Sequence, residues 1–126
     1  MTSFDKSKVE QIEALLYNSY IHDANLESIS YDSESESLVI EAFNSIFNQK
    51  LQVTFRELKV TFSIKGKDFG SSKTINSLSV EKDFSYLHNY LQFDEEYEQN
   101  TLYILFQMFS GDELHILCKE IIIEIT

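Results

Sequence analysis

The fold is decided by the stretch from Lys50 to Lys65, which reads KLQVTFRELKVTFSIK. This stretch is rich in β-branched and aromatic residues, which strands favour. Its apolar residues occupy odd positions before Arg56-Glu57 and even positions after that pair: Leu51, Val53 and Phe55, then Leu58, Val60, Phe62 and Ile64. Because side chains alternate between the two faces of a strand, one regular strand cannot keep both sets on the same side. A bulge or a bend is therefore predicted at Arg56-Glu57, so that both sets reach the core.

A second change of parity lies near the end of the chain. Apolar positions are even up to Cys118 and odd from Ile121 onward, and Lys119-Glu120 separates the two sets. The same argument predicts an irregularity at that pair. Each break is marked by a base followed by an acid, which indicates two strands that bend together.

An opening helix is predicted from about Phe4 or Lys8 to Ser19. Ser7 and Glu10 have the spacing of a capping box, in which the side chain of each residue bonds the backbone of the other. Apolar residues then recur at intervals of three and four, as on one face of an amphipathic helix.

The rest of the chain alternates as strands do. Leu26–Tyr31 and Leu38–Phe43 flank a polar cluster, Asp32–Ser37, and this pattern predicts a hairpin. Leu102–Phe109 is apolar on both faces, which is typical of a strand covered on both sides. Ser110–Asp112 then turns the chain into the last strand.

Two segments are less regular. The polar stretch between Lys65 and Asn76 contains Gly66 and Gly70, and it is predicted to be a mobile loop. Residues 83–92 fit a short helix and an alternating strand equally well, so both alternatives stay open.

These elements predict a single domain over residues 1–126, of the α+β class. The expected architecture is one curved antiparallel meander sheet of five or six strands, with the N-terminal helix packed on one face. Since both faces of Leu102–Phe109 need cover, self-association into a homodimer is a further expectation.

The charge distribution bears on the kind of partner. The net charge is −11, and residues 9–49 contain eight acidic and no basic residues. Residues 83–126 contain nine acidic and one basic residue, whereas residues 50–82 are locally basic. Most of this surface would repel a phosphate backbone, so nucleic acid is not expected as a partner, while a basic protein would be attracted.

A cytoplasmic location is expected. The first residues are polar and charged, and no apolar stretch approaches the length of a membrane span, so neither a secretory signal nor membrane association is predicted. Cys118 is the only cysteine, which excludes an internal disulfide. Its apolar surroundings predict a buried, unreactive thiol.

Acidic residues of two loops are the candidate partner-binding positions. They are Glu34, Glu36, Asp94, Glu95, Glu96 and Glu98. Alternating acids at Asp32–Glu36 resemble a calcium loop superficially, but Ser37 and Phe43 stand where glycine and a bidentate Glu are needed. Neither run marks two carboxylates in different environments, as acid–base catalysis requires.

His22 and Asp23 end the opening helix just before the first predicted strand. In the structural interpretation Asp23 turns the chain and His22 lies near the negative end of the helix dipole. In the alternative, the pair lines the cleft of a small ligand-binding or hydrolytic domain, which predicts a deep pocket and a perturbed His22. His115 alternates with Leu114 and Ile116, so it should point away from their face and be exposed or covered by a loop.

Three segments resemble a set of small bacterial α+β proteins, some of which are immunity proteins that neutralise a toxin made by the same cell. They are Tyr20-Ile21-His22-Asp23 after a helix, the strand Leu26–Tyr31, and the closing pattern Leu114-x-Ile-x-Cys-Lys-x-Ile. This resemblance implies a non-catalytic protein whose surface binds a cognate toxin, and it carries over no catalytic residue. The sequence therefore favours a binding module without cofactor, metal or catalytic residues, whose acidic surface meets a basic protein.

Overall fold

The computed structural model describes residues 2–16, 21–64, 74–85, 87, 95–108 and 110–126. Within these ranges the chain forms nine strands and two α-helices. They are β1 (Thr2–Asp5), α1 (Val9–Leu16), β2 (Asn25–Asp32), β3 (Ser37–Asn44), β4 (Gln49–Arg56), β5 (Val60–Ile64), β6 (Ile75–Val80), α2 (Glu95–Asn100), β7 (Leu102–Met108), β8 (Glu113–Cys118) and β9 (Glu120–Ile125).

The strands form two antiparallel sheets around a shared apolar core. The first has the order β1-β9-β4-β3-β2, and the second has the order β5-β8-β7-β6. The predicted α+β class with a single sheet of five or six strands is therefore wrong, because the protein is mostly β and its strands are divided between two sheets. The physical reason is that each parity break carries the chain from one sheet to the other.

The two breaks meet at one corner of the molecule. Arg56 at the end of β4 pairs with Glu120 of β9, and Val60 at the start of β5 pairs with Leu117 of β8. Between these two pairs one strand contains three residues and the other contains two, which is the excess that defines a bulge. Glu57 lies in this corner with a φ of 51°. The predicted irregularity is confirmed at both sites, and the two strands bend together.

The apolar side chains next to the two breaks pack in two different clusters. Ile116 and Cys118 of β8 and Ile121 of β9 are all buried in the core between the sheets, as predicted. The prediction fails for Val60, which packs against a second cluster on the outer face of the four-stranded sheet. Because that face has its own apolar cover, an apolar residue of β5 is sheltered there as well.

The second cluster covers part of the outer face of β7. Phe84 and Leu87 pack there against Tyr103 and Leu117. The rings of Phe84 and Tyr103 meet edge to face, with centroids 5.6 Å apart. At Tyr103, β7 is thus covered on both faces by its own chain, and no second copy is needed for burial at that position.

The helix α1 lies against β1 and β6, which are edge strands of the two sheets, and it buries Ile12 and Leu16. It does not pack on one face of a sheet as predicted, because the inner faces of the two sheets already cover each other. Asp5 rather than Ser7 caps the short 3₁₀ turn before α1, and its carboxylate accepts a hydrogen bond from the Ser7 amide at 3.0 Å.

Several predictions from the sequence fall outside the described residues. These are the end of the opening helix at 17–19, most of the loop at 65–73, and most of the ambiguous segment at 83–92. β6 was not predicted as a strand, since only three of its six residues, INSLSV, are apolar and they do not all fall at alternate positions. Neither described helix has the length and apolar character needed to cross a membrane.

Candidate functional site

The strand β2 is an edge of the five-stranded sheet, and seven of its eight residues are exposed. It pairs with β3 on one side. On its other side, the described part of the chain contributes an isolated bridge between Asn25 and Thr74, supported by a hydrogen bond from Thr74 Oγ1 to Asn25 Oδ1 at 3.1 Å. The remainder of that side faces no described strand.

Two large apolar side chains of β2 are exposed. Ile29 and Tyr31 pair with Ile40 and Leu38 of β3, and paired residues share a face of the sheet. Ile40 and Leu38 are buried in the core, whereas 48% of Ile29 and 57% of Tyr31 remain exposed. The pairing register shifts between Leu26 and Ser28, and this bulge puts the even Leu26 and the odd Ile29 on the same face.

Acidic residues extend from β2 into the turn that joins it to β3. The Asp32 carboxylate accepts a hydrogen bond from the Glu34 amide at 3.0 Å, and Glu36 adopts a positive φ of 51°. The Glu36 carbonyl accepts a hydrogen bond from the Leu58 amide at 2.9 Å, which ties this turn to the corner between the sheets. The predicted positions Glu34 and Glu36 are therefore exposed on a turn whose backbone is held at both ends.

The other predicted acidic positions lie elsewhere. Glu96 and Glu98 belong to α2, while Asp94 and the side chain of Glu95 lie outside the described residues. Burial lowers the pKa of Lys6, and the charge of Glu98 acts in the opposite direction, so α2 lies close to the residues that follow β1. Since β1 and β2 are opposite edges of a five-stranded sheet, four spacings of about 4.8 Å separate them, or roughly 19 Å. The four described positions thus form two separate acidic groups, Glu34 with Glu36 and Glu96 with Glu98.

His22 and Asp23 lie in the turn between α1 and β2, with 53% and 45% of their side chains exposed. The His22 Nε2 and Asp23 Oδ1 atoms are 3.6 Å apart. Asp23 has a φ of 70°, and its amide donates a hydrogen bond to the Ile75 carbonyl at 2.9 Å. Asp23 turns the chain here, as in the structural interpretation, and the alternative of a ligand-binding or hydrolytic cleft beside the pair stays a prediction.

A buried asparagine links this turn to the tip of the next hairpin. Asn44 Nδ2 donates to the His22 carbonyl at 3.2 Å, while Asn44 Oδ1 accepts from the amides of Ile46 and Phe47 at 3.0 and 3.3 Å. These bonds fix a turn on which Ile46 is 71% exposed. This tip lies at the opposite end of β3 from Glu34 and Glu36, and the exposure of Ile46 on it was not predicted from the sequence.

Five side chains on the outer face of the four-stranded sheet form a hydrogen-bonded network that was not predicted from the sequence. Ser77 Oγ donates to Gln107 Oε1 at 2.9 Å, and Gln107 Nε2 donates to Glu113 Oε2 at 3.2 Å. Glu113 Oε1 lies 3.2 Å from Nε2 of His115, whose Nδ1 lies 2.5 Å from the Tyr103 hydroxyl. With a proton on Nε2, the imidazole donates to the carboxylate and accepts from the phenol, so every contact is satisfied.

A carboxylate, an imidazole and a phenol in series could in principle move a proton. However, Tyr103 and His115 are each only 3% exposed, so a substrate in solution has no direct access to them. We interpret these hydrogen-bonded side chains as a structural network that satisfies the polar groups beneath the second cluster. His115 points away from the face of Leu114 and Ile116, as predicted, and of the two predicted alternatives, exposed or covered, exposure is wrong because the side chain is buried.

The last two candidate sites are a metal-binding site and the thiol of Cys118. Within the described ranges, no group of three or more His, Cys, Asp or Glu side chains is placed to hold a metal ion. Cys118 is buried, as predicted, and burial raises the pKa of its thiol to about 12. A thiol that stays protonated at neutral pH is a poor nucleophile.

Comparisons with known proteins add no relative to these observations. No protein-family model matches the chain, and a search of the curated proteins finds no significant match.

Proposed function

We propose that this domain is a non-catalytic protein-binding module whose acidic surface binds a basic protein partner. The observation that carries the proposal is the exposed β2 edge together with its turn, because Glu27, Asp32, Glu34 and Glu36 are all exposed there. No basic residue occurs anywhere in residues 9–49. Such a group of exposed acids accelerates and orients the approach of an oppositely charged protein.

The apolar residues beside these acids supply the second property of a binding surface. Interfaces combine a central apolar or aromatic area with a polar rim, and tyrosine is enriched in them. Ile29 and Tyr31 lie between Glu27, which precedes them in β2, and Asp32 at the end of the strand, which reproduces this arrangement in one strand.

The resemblance to immunity proteins makes a toxin with a basic surface the partner we propose first. A cytoplasmic location belongs to the same proposal, and the single, buried cysteine is compatible with a reducing compartment.

Charge reversal tests the proposal and separates the two acidic groups. Partners captured from the native lysate are first identified with the unaltered protein, and the association rate of the purified partner is then measured. Glu34→Lys/Glu36→Lys should lower this rate by about tenfold at low salt, with a smaller difference at high salt.

Two variants with the same change in net charge serve as controls. Glu96→Lys/Glu98→Lys alters the second acidic group, and Glu10→Lys/Glu124→Lys alters the helix and β9. Both should bind nearly as fast as the unaltered protein. An equal loss in all three variants would reduce the effect to net charge, and an unchanged rate in all three would refute the proposal.

A further inference from the structure

The corner between the sheets lies directly beside the acidic turn that joins β2 to β3. The Leu58 amide donates a hydrogen bond to the Glu36 carbonyl at 2.9 Å, and Lys59 is the next residue of the chain. Standard bond lengths then place the Cα atoms of Glu36 and Lys59 within about 11 Å of each other. The Lys59 amide donates to the Leu117 carbonyl at 2.7 Å, so the backbone of this lysine is fixed beside the turn.

Lys59 is a cation that the protein itself does not neutralise. Arg56, at the end of β4, has its Nη1 atom 3.7 Å from an oxygen of Glu120. Lys59 is exposed and forms no ion pair within the described ranges, and the same holds for Glu34 and Glu36. Unpaired charges of opposite sign therefore lie side by side on this part of the surface.

A partner that binds the acidic turn also covers Lys59. Stable interfaces bury about 800 Å² on each protein, which corresponds to a circular patch with a radius of roughly 16 Å. A patch of this size centred on Glu36 includes Lys59. A uniformly basic surface would bring one of its own cations against Lys59, and like charges that meet in an interface oppose binding.

We infer that the partner carries an acidic group next to the basic residues that meet Glu34 and Glu36, and that Lys59 pairs with this group. This inference rests on the proposed function and refines the chemistry of the partner, which becomes a basic surface with an acidic group at its edge. Glu34 and Glu36 attract the partner, whereas Lys59 fixes its orientation and rejects uniformly basic proteins.

Two synthetic peptides of identical composition test this inference on the full chain labelled with ¹⁵N. Acetyl-Lys-Arg-Lys-Pro-Pro-Pro-Glu-Glu-amide separates its basic and acidic blocks by a stiff spacer of about 9 Å, close to the separation of Glu36 and Lys59. Acetyl-Lys-Glu-Pro-Arg-Pro-Glu-Pro-Lys-amide has the same net charge, but its charges are mixed. Binding is followed by amide chemical shifts at low salt.

The largest shifts with the block peptide should map to residues 33–37 and 57–60. The block peptide should bind about two- to fivefold more tightly than the mixed peptide, which is the contribution of one exposed ion pair. Equal binding of the two peptides, binding of neither, or shifts that map to α2 would refute the inference.

Substitutions of Lys59 isolate its charge. Lys59→Glu should abolish the difference between the two peptides, and Lys59→Gln should reduce it. Lys50→Glu is the matched control, since Lys50 is also exposed and lies near the other end of β4, roughly 20 Å from Arg56. This control should keep the difference between the peptides, and a difference that survives Lys59→Glu would contradict the role of Lys59.

The purified protein partner distinguishes this inference from the proposed function. Lys59→Glu makes the protein more acidic, so net charge alone predicts faster association with a basic partner. Pairing of Lys59 with an acidic group predicts the opposite, namely binding about two- to fivefold weaker. Tighter binding would overturn the inference and leave the proposed function standing, whereas the proposed function fails if Glu34→Lys/Glu36→Lys leaves partner association unchanged.

Discussion

The bond between the Tyr103 hydroxyl and His115 Nδ1 gives the most quantitative prediction. Tyr103→Phe removes the hydroxyl and keeps the ring that packs edge to face on Phe84. The substitution removes the hydrogen-bond donor that faces His115 Nδ1, at a place where Tyr103 and His115 are each only 3% exposed. Loss of a buried hydrogen-bond partner costs about 1–3 kcal/mol, so we expect the free energy of unfolding to fall by about 2 kcal/mol.

Urea denaturation measures this change. With a slope of about 1.5 kcal/mol/M, which is usual for a small domain, a loss of about 2 kcal/mol lowers the unfolding midpoint by roughly 1.3 M. Tyr31→Phe is the matched control, since the Tyr31 side chain is more than half exposed and its hydroxyl should contribute within about 0.5 kcal/mol.

A double-mutant cycle isolates the bond from other effects of the two substitutions. His115→Leu removes the acceptor, and the combined variant should cost less than the two single changes together, with a coupling energy of about 0.5–3 kcal/mol. A Tyr103→Phe variant as stable as the Tyr31→Phe control, with additive single changes, would show that the hydrogen-bonded chain does not hold the outer face of the four-stranded sheet together.

Two further predictions concern the thiol and the corner. Because burial raises the pKa of Cys118 from 9.0 to about 12, the folded state favours the neutral thiol, so stability from this group is complete below pH 9 and is lost as pH rises from 9 toward 12. At pH 8 a thiol reagent should therefore label Cys118 only at the rate of unfolding, and rapid labelling of the folded protein would contradict its burial. Glu57→Gly should raise the free energy of unfolding by up to about 1 kcal/mol, because glycine tolerates the φ of 51° that glutamate holds there, whereas Glu57→Val should lower it. Equal stability of the two variants in urea would argue against a left-handed conformation at this position.

The local structure was predictable from alternation, but the number of sheets was not. The strands on either side of Asp32–Ser37 and the breaks at Arg56-Glu57 and Lys119-Glu120 all follow from the period of two. A parity change shows that a strand bends, yet it does not show which sheet the strand joins afterwards. That choice is made by long-range pairing, which brings β5 to β8 and β9 to β4.

The candidate site was predictable in part for similar reasons. Glu34 and Glu36 could be chosen from charge density, but the width of the sheet that separates them from Glu96 and Glu98 could not. The link from Tyr103 to His115 depends on cross-strand register. Extending the hairpin back from the turn at residues 110–112 would have placed Leu105 opposite His115, with Tyr103 two residues further along the same face.

The Leu26 position also contained a signal that was not used. Leu26 is even while Ile29 and Tyr31 are odd, which is a third change of parity, and the structure has a register shift between Leu26 and Ser28. The shift is what directs Ile29 and Tyr31 to the core-facing side of a strand that the second sheet does not cover.

The corner between the sheets also determines the order in which the protein can fold. Arg56 and Glu120 are more than sixty residues apart in sequence, and closing a loop of that length costs about 4 kcal/mol of chain entropy before the contacts form. The hairpins β2–β3, β3–β4 and β7–β8 need only short loops and can form early. Neither sheet is complete until β4–β5 meets β8–β9, so both should be completed in one slow cooperative step, on the millisecond-to-second scale of domains dominated by distant strand pairing.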